Sequence, residues 1–231
     1  MGFCSGISDD TYKVHLSHKG LKMRDLKRVS KEMNKYVLGV PLNYPVVFER
    51  FWWSFISIEA DQVSHVIRAT SAYLWDMRNN LVKTFLQYPK EDTDYLLMID
   101  ADMEFPPNLV TQIELVSKSV PKPDSTIIGV PYKSKNGEKW HVYTESGEGY
   151  AWKNQWDVEG VKERGAMGTG LLAIPRKIFE DMPFPWFEGY QRESTVSEDL
   201  VFCKKAKDRG YSIYSTPALE GVVHLSVGGA M

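Results

Sequence analysis

Hydrophobic and polar positions along the chain alternate between two kinds of stretch, short apolar runs and longer segments in which apolar residues recur every three or four positions. The run Tyr36-Val37-Leu38-Gly39-Val40-Pro41 reads as a buried strand stopped by proline. After a turn at Leu42-Asn43-Tyr44-Pro45, the apolar stretch Val46 to Ile58 predicts a buried helix with Pro45 at its first turn. Val63 to Ala72 is a second, imperfectly alternating strand. From Asp76, placed as an N-cap, Met77, Leu81, Val82, Phe85 and Leu86 recur at helical spacing, with Arg78 and Asn79 in the first turn. Tyr95 to Ile99 is apolar throughout, as a strand covered on both faces must be. It runs straight into Asp100-Ala101-Asp102, the pair Pro106-Pro107 and a helical pattern at Leu109, Ile113, Val116 and Val120. Thr126 to Pro131 gives a further buried strand.

Repeated strand-then-helix units predict an α/β domain built on a mostly parallel central sheet flanked by helices, Rossmann-like in its layering. Residues 132–165 break the rhythm with glycines, charges and short alternating pieces, and predict a small antiparallel hairpin or lid-like excursion. The chain returns to the core through Gly168-Thr169-Gly170 and the strand Leu171 to Ile174, and a short helix around Ile178, Phe179 and Met182 follows. Ser197 is placed to cap a helix that carries Glu198 and Asp199 in its first turn and closes at Gly210. A strand at Ile213-Tyr214 and the segment Gly221 to Leu225, with His224, complete the pattern. Residues 1–35 are polar, with a basic run from Lys19 to Lys35 and a weak helical period from Leu21 to Met33, and read as an arm or helix ahead of a single domain over residues 36–231.

Composition narrows the class without choosing a function. The 231 residues, 43% hydrophobic and 25% charged, are those of an ordinary globular protein. A formal charge of -2 gives no bulk attraction for nucleic acid or an anionic membrane. The two cysteines, Cys4 and Cys203, lie far apart, against a disulfide framework and in keeping with a reducing compartment. No apolar run approaches the roughly 18 to 20 residues of a membrane span and no signal-peptide core is present, so the expected location is the cytoplasm, the host's if the protein is viral. Seven tryptophans include Trp140, Trp152, Trp156 and Trp186 among loop-like residues, where they either stack on sugars or bases or plug loops onto the core.

Chemistry enters at the carboxylates. Asp100 and Asp102 stand two apart at the C-terminal end of a strand, the edge at which open α/β sheets place ligands, so both can face one hard cation. An acidic strand end can equally cap a turn, and Glu198 and Asp199 can be no more than well-placed acids at a helix start.

Taken in order, these features resemble the nucleotide-sugar glycosyltransferases of the GT-A fold, in particular family-2-like enzymes and the compact versions found in phages and viruses. Members carry a strand ending in Asp-x-Asp, matched by Asp100-Ala101-Asp102. They carry a Gly-rich segment before a strand, matched by Gly168-Thr169-Gly170-Leu171, and a Glu-Asp pair opening a helix that ends before Gly-Tyr, matched by Glu198-Asp199 and Gly210-Tyr211. Arg78-Asn79 fits an Arg-Asn pair ahead of the acidic strand, and His224, followed by Gly228-Gly229, looks like a late metal-shell histidine. The resemblance spans about Tyr36 to Gly229. It departs at Pro41-Leu42-Asn43-Tyr44, where members often carry Pro-x-Tyr-Asn, and in having no acidic residue between Val63 and Trp75 for the base, so a UDP- or GDP-linked donor stays open.

The resemblance implies a metal-dependent glycosyltransferase, hexosyl or pentosyl, that moves a sugar from a nucleoside-diphosphate donor to an acceptor hydroxyl. It implies Mn or Mg held by Asp102, Asp100 and His224, and a donor bordered by Pro41, Asn43, Arg78, Asp100, Gly168 and Gly170. For an inverting transfer Asp199 is the expected general base, with Glu198 second; retention makes the same acids binders of acceptor or sugar. The acceptor stays open among glycan, protein, lipid and modified nucleic-acid base. Two other classes remain. A nucleotidyltransferase shares the sheet and the acidic site but usually has a Gly-rich basic loop after the first strand, which Leu42-Asn43-Tyr44 does not supply. A non-catalytic sugar- or protein-binding module needs the loop tryptophans but not both acidic pairs.

Overall fold

The apolar runs form strands because their side chains are covered from both sides. In the computed structural model, which describes residues 33–42, 47–59, 61–145, 152–189 and 196–226, the elements follow in the order β1 (Tyr36–Pro41), α1 (Glu49–Ile56), β2 (Val63–Ala69), α2 (Leu74–Phe85), β3 (Tyr95–Ile99), β4 (Met103–Glu104), α3 (Leu109–Ser119) and β5 (Thr126–Gly129). The second half runs β6 (Val142–Glu145), β7 (Trp152–Asn154), β8 (Lys162–Glu163), β9 (Ala166–Met167), β10 (Leu171–Pro175), α4 (Arg176–Asp181), α5 (Glu198–Lys207), β11 (Ser212–Ser215) and β12 (Val223–His224). The central sheet has seven strands in the order β2-β1-β3-β10-β5-β11-β8. Five run the same way; β10, inserted between β3 and β5, and the edge strand β8 run against them. The sheet is therefore mostly parallel, as the strand-then-helix pattern predicts.

Alternation along each strand sorts the core into two layers. Val37, Leu96, Met98, Ile127, Leu172 and Ile213 pack under α2, α4 and α5, against Leu81, Phe85, Phe179 and Phe202. Their neighbours Tyr36, Leu38, Leu97, Ile99, Ile128 and Ala173 face α1 and α3, against Phe51, Leu109, Ile113 and Val116. All five residues of β3 are buried, which is why its sequence shows no polar alternation. The Glu114 carboxylate of α3 is accommodated inside: its Oε2 accepts from the Tyr36 hydroxyl at 2.8 Å and from Asn34 Nδ2 at 2.9 Å, and its Oε1 from the Asn34 N–H at 3.3 Å, satisfying both oxygens that burial would otherwise strand.

The excursion over residues 132–165 is antiparallel: β6 pairs with β7 and with β9 in a three-stranded sheet apart from the central one. Several boundaries differ from the sequence pattern. α1 starts at Glu49, because Phe48 is extended. β2 stops at Ala69 and α2 starts at Leu74, so Asp76 lies inside the helix and not at its cap; its carboxylate instead accepts from Ser71 Oγ at 2.7 Å. Ser197 does occupy the N-cap of α5, yet its hydroxyl bonds the Asp199 carboxylate and makes no side-chain cap. Trp186 is plugged into the core, its indole N–H donating to the Phe179 carbonyl at 2.9 Å, whereas Trp156 is 65% exposed. Among the described residues, no helix is long and apolar enough to cross a membrane.

Candidate functional site

Strands β1, β3 and β5 point their C-terminal ends to one edge of the sheet, and β10, running the other way, begins there. Asp100 follows β3 directly, and its backbone N–H donates to the Gly170 carbonyl at 3.0 Å, which ties the acidic strand end to the Gly-rich segment. β4 then pairs antiparallel with β12, with His224 opposite Met103, and the Leu225 N–H donates to the Asp102 carbonyl at 2.7 Å. This short ladder is what brings a histidine far along the chain beside Asp102.

Arg78 joins the motifs. It stands on the second turn of α2, 2% exposed. Its Nε donates to Glu198 Oε1 at 3.2 Å, Nη1 to the Thr169 carbonyl at 3.3 Å and Nη2 to Asp100 Oδ2 at 3.3 Å. Burial alone would weaken its charge, but Asp100 and Glu198 more than restore it. The resemblance puts Arg78 at the border of the donor; in the structure its guanidinium is buried and bonds two carboxylates and a carbonyl. Its neighbour Asn79 braces the same region by accepting from the backbone N–H groups of Trp186 and Phe187.

Asp102 is held differently. Its Oδ2 lies 2.7 Å from Lys135 Nζ and 3.3 Å from His224 Nε2. Burial pushes this carboxyl up, but the bonds from His224 and Lys135 outweigh it and bring it down to about 2. Glu198 and Asp199 move the other way. Burial raises both, against the pull of Arg78 and, for Asp199, of the Ser197 hydroxyl. Asp199 Oδ1 also accepts from the Leu200 N–H at 2.8 Å, while Oδ2 has no partner among the described residues.

The structure thus gathers Arg78, Asp100 and Glu198 into one bonded group, with Asp199 beside it, and Asp102 with His224 into a second. Gly170 lies beside Asp100 and Gly168 beside His141, and what requires their smallness is Tyr132: a Cβ at Gly168 would come within 2.3 Å of the Tyr132 hydroxyl, and one at Gly170 within 2.8 Å. Gly170 N donates to that hydroxyl at 3.1 Å. Pro41 closes β1 opposite Ala69 at the same edge, and Asn43 lies outside the described residues, as do Gly228 and Gly229.

Three participants were not anticipated, and all come from the polar excursion. Tyr132 is buried beneath the Gly-rich segment. His141 stacks on it with ring centroids 4.7 Å apart and meets His224 edge-on at 5.7 Å. Burial, then the proximity of His224, lowers the His141 imidazole to about 4, so it is neutral near pH 7. Lys135 is the third. The only signal in the sequence was the alternation from Lys139 to Thr144, which indicates a strand and says nothing about which face of the molecule that strand meets.

Among the described residues, three buried polar atoms here lack any hydrogen-bond partner, Thr169 Oγ1, His141 Nε2 and His224 Nδ1, while Asp100 Oδ1 has only its ion pair with Arg78. Buried polar groups are nearly always paired, so unpaired ones gathered in one place fit a surface completed by a ligand. As for a cation, no three His, Cys, Asp or Glu side chains among the described residues are grouped closely enough to enclose one. The donors present fit an open half-site: Asp102 Oδ2 and His224 Nε2 side by side, with Asp100, whose Oδ1 is ion-paired to Arg78 at 3.3 Å, on the same strand end. Mixed carboxylate and imidazole ligation suits Mn2+, and Mg2+ is commonly held by one or two carboxylates with substrate phosphates supplying further oxygens.

No family model matches the sequence, and no curated protein matches it. Solved structures do. A197 from STIV is similar over 85% of this chain and 97% of its own, with a TM-score of 0.60 and 15% identity. S. aureus TarS 1-349 is similar over 83% of this chain and 60% of its own, with a TM-score of 0.50 and 10% identity. The fold is GT-A-like. The inositol-1-phosphate CTP transferase from T. maritima covers 84% of this chain and 89% of its own at 13% identity, but its TM-score of 0.48 is too low to add to the comparison.

Proposed function

We propose that this chain transfers a sugar from a nucleoside-diphosphate donor to an acceptor hydroxyl, with the donor lying along the C-terminal edge of β1 and β3. The observation that supports this best is the set of buried polar atoms without a hydrogen-bond partner, Thr169 Oγ1, His141 Nε2 and His224 Nδ1, in a GT-A-like fold. A sugar diphosphate offers hydroxyl donors and phosphate acceptors in the mixture such a lining needs. A divalent cation held by Asp102 and His224, with Asp100 beside them, would supply charge neutralisation at the leaving diphosphate.

The chain's own residues divide the remaining work. Arg78 holds Asp100 and Glu198 at fixed distance, so that the donor edge and the acceptor edge of the site move as one. Asp199 receives the acceptor's proton at Oδ2 in an inverting transfer, its Oδ1 being tied by Ser197 and Leu200. Its raised pKa favours that role, because a carboxyl above the ordinary range is the stronger base. Glu198 is committed to Arg78 and so stands second. In a retaining transfer the same two acids bind acceptor or sugar. Gly168 and Gly170 seat Tyr132, whose ring carries His141 into contact with the donor.

Nucleotide binding tests this reading before any acceptor is known. UDP or GDP, in the presence of Mn2+, is expected to raise the melting temperature by several degrees, and to do so far less with the metal chelated. Stabilisation by nucleoside triphosphates alone would favour a nucleotidyltransferase, and no shift with any nucleotide would leave the binding-module reading.

A further inference from the structure

Lys135 sits on the tip of a tight hairpin. The arms are joined at Lys133 and Trp140, the Ser134 N–H donates to the Lys139 carbonyl at 2.7 Å, and Gly137 turns the chain in the left-handed region at φ 72°. Ser134 Oγ and the Asn136 side chain brace the turn further. The placement of Lys135 is therefore set by backbone structure. From there its ammonium reaches Asp102 Oδ2, a residue on a different element, at 2.7 Å while its side chain stays 48% exposed.

That oxygen is the one the proposed cation would need. Two features follow from the charges. First, Lys135 and a divalent cation cannot share Asp102 Oδ2 without strong repulsion, so one displaces the other. Second, among the described residues four carboxyl groups, Asp100, Asp102, Glu198 and Asp199, face two permanent cations, Arg78 and Lys135, and Arg78 is buried in its own pairs. A nucleoside diphosphate brings more negative charge to this edge, and Lys135 is the one permanent cation of the pair that is partly exposed and on a long flexible stem.

We infer that Lys135 is a displaceable counter-ion: it occupies Asp102 until a divalent cation takes that oxygen, and it then binds the diphosphate of the donor. This rests on the donor-site reading above. It makes binding ordered, cation before donor, and gives the excursion over residues 132–165 a role at the phosphates. An exposed ion pair is weak enough to be broken by a divalent cation, and an ammonium meeting phosphate oxygens suits Lys as a point charge.

The test uses the full chain with Mn2+ and inorganic pyrophosphate as probes. Mn2+ binding is read by electron paramagnetic resonance and pyrophosphate binding, at saturating Mn2+, by calorimetry. Lys135→Met is expected to bind Mn2+ roughly fivefold more tightly than wild type and pyrophosphate about tenfold more weakly. Lys135→Arg, which keeps the charge, is expected to stay near wild type for both. Unchanged affinity of Lys135→Met for either probe overturns the inference. Asp102→Asn separates this from the underlying reading: if it binds Mn2+ as well as wild type does, the cation site itself is wrongly placed.

Discussion

Asp199→Asn is expected to lower turnover by about 10²- to 10⁴-fold, the usual contribution of a positioned general base, while donor affinity changes by no more than about twofold. The substitution keeps the shape of the side chain and its Oδ1 contacts with Ser197 and Leu200, so the fold and the Arg78 group stay in place. The pH profile gives an independent sign. Transfer needs the ionised carboxylate, and burial raises the Asp199 pKa, so activity should fall with decreasing pH at a value above the ~3.9 of an ordinary aspartate. Loss of donor affinity as large as the loss of turnover would argue that Asp199 binds and does not act as a base.

Arg78→Met has the largest expected effect on stability. Removing the guanidinium leaves Glu198, Asp100 and the Thr169 carbonyl without their shared donor. Breaking a buried ion pair from one side costs about 3–5 kcal/mol, and the lower end applies here because the Asp100 side chain is 23% exposed. Denaturant unfolding should therefore show a loss of about 3 kcal/mol. Under conditions where the variant is still folded, turnover should drop by about 10²-fold, since the two carboxylates lose their fixed separation. Arg78→Lys restores charge but not the three-way fork, so it should recover part of the stability and little of the turnover. A variant of wild-type stability would show that the three contacts contribute nothing net.

The elements that could be read from the sequence are those whose local pattern has a local cause. β3 is apolar at five successive positions because both of its faces are covered, and Asp100 marks its end because the chain there leaves the core. The position of β10 was not readable: a strand at Leu171 is visible, but its antiparallel insertion between β3 and β5 depends on partners distant in the chain. The start of α2 was misplaced for a related reason. Asp76 looks like an N-cap, yet the Tyr73 and Trp75 rings stack at 4.6 Å and the helix begins between them.

The same division runs through the site. Asp100, Asp102, Glu198 and Asp199 could be listed because carboxylates at a strand end and a helix start have a recognisable spacing. That one buried arginine bonds both Asp100 and Glu198 could not be foreseen, since Arg78 has the local surroundings of a surface helix residue. Tyr132, Lys135 and His141 were missed altogether. They lie in a glycine- and lysine-rich segment whose composition reads as loop, and it is the Lys133–Trp140 hairpin and the pairing of β6 with β9, contacts between residues apart in the chain, that set their positions.

The most direct measurement is the release of nucleoside diphosphate from a panel of UDP- and GDP-linked sugars, with Mn2+ or with chelator, comparing wild type with Asp102→Asn. The account predicts turnover of at least one sugar nucleotide by wild type with Mn2+, lost with chelator and lost in Asp102→Asn while the variant's fold is unchanged. Equal turnover by the variant, or no turnover of any sugar nucleotide by the wild type, would contradict it.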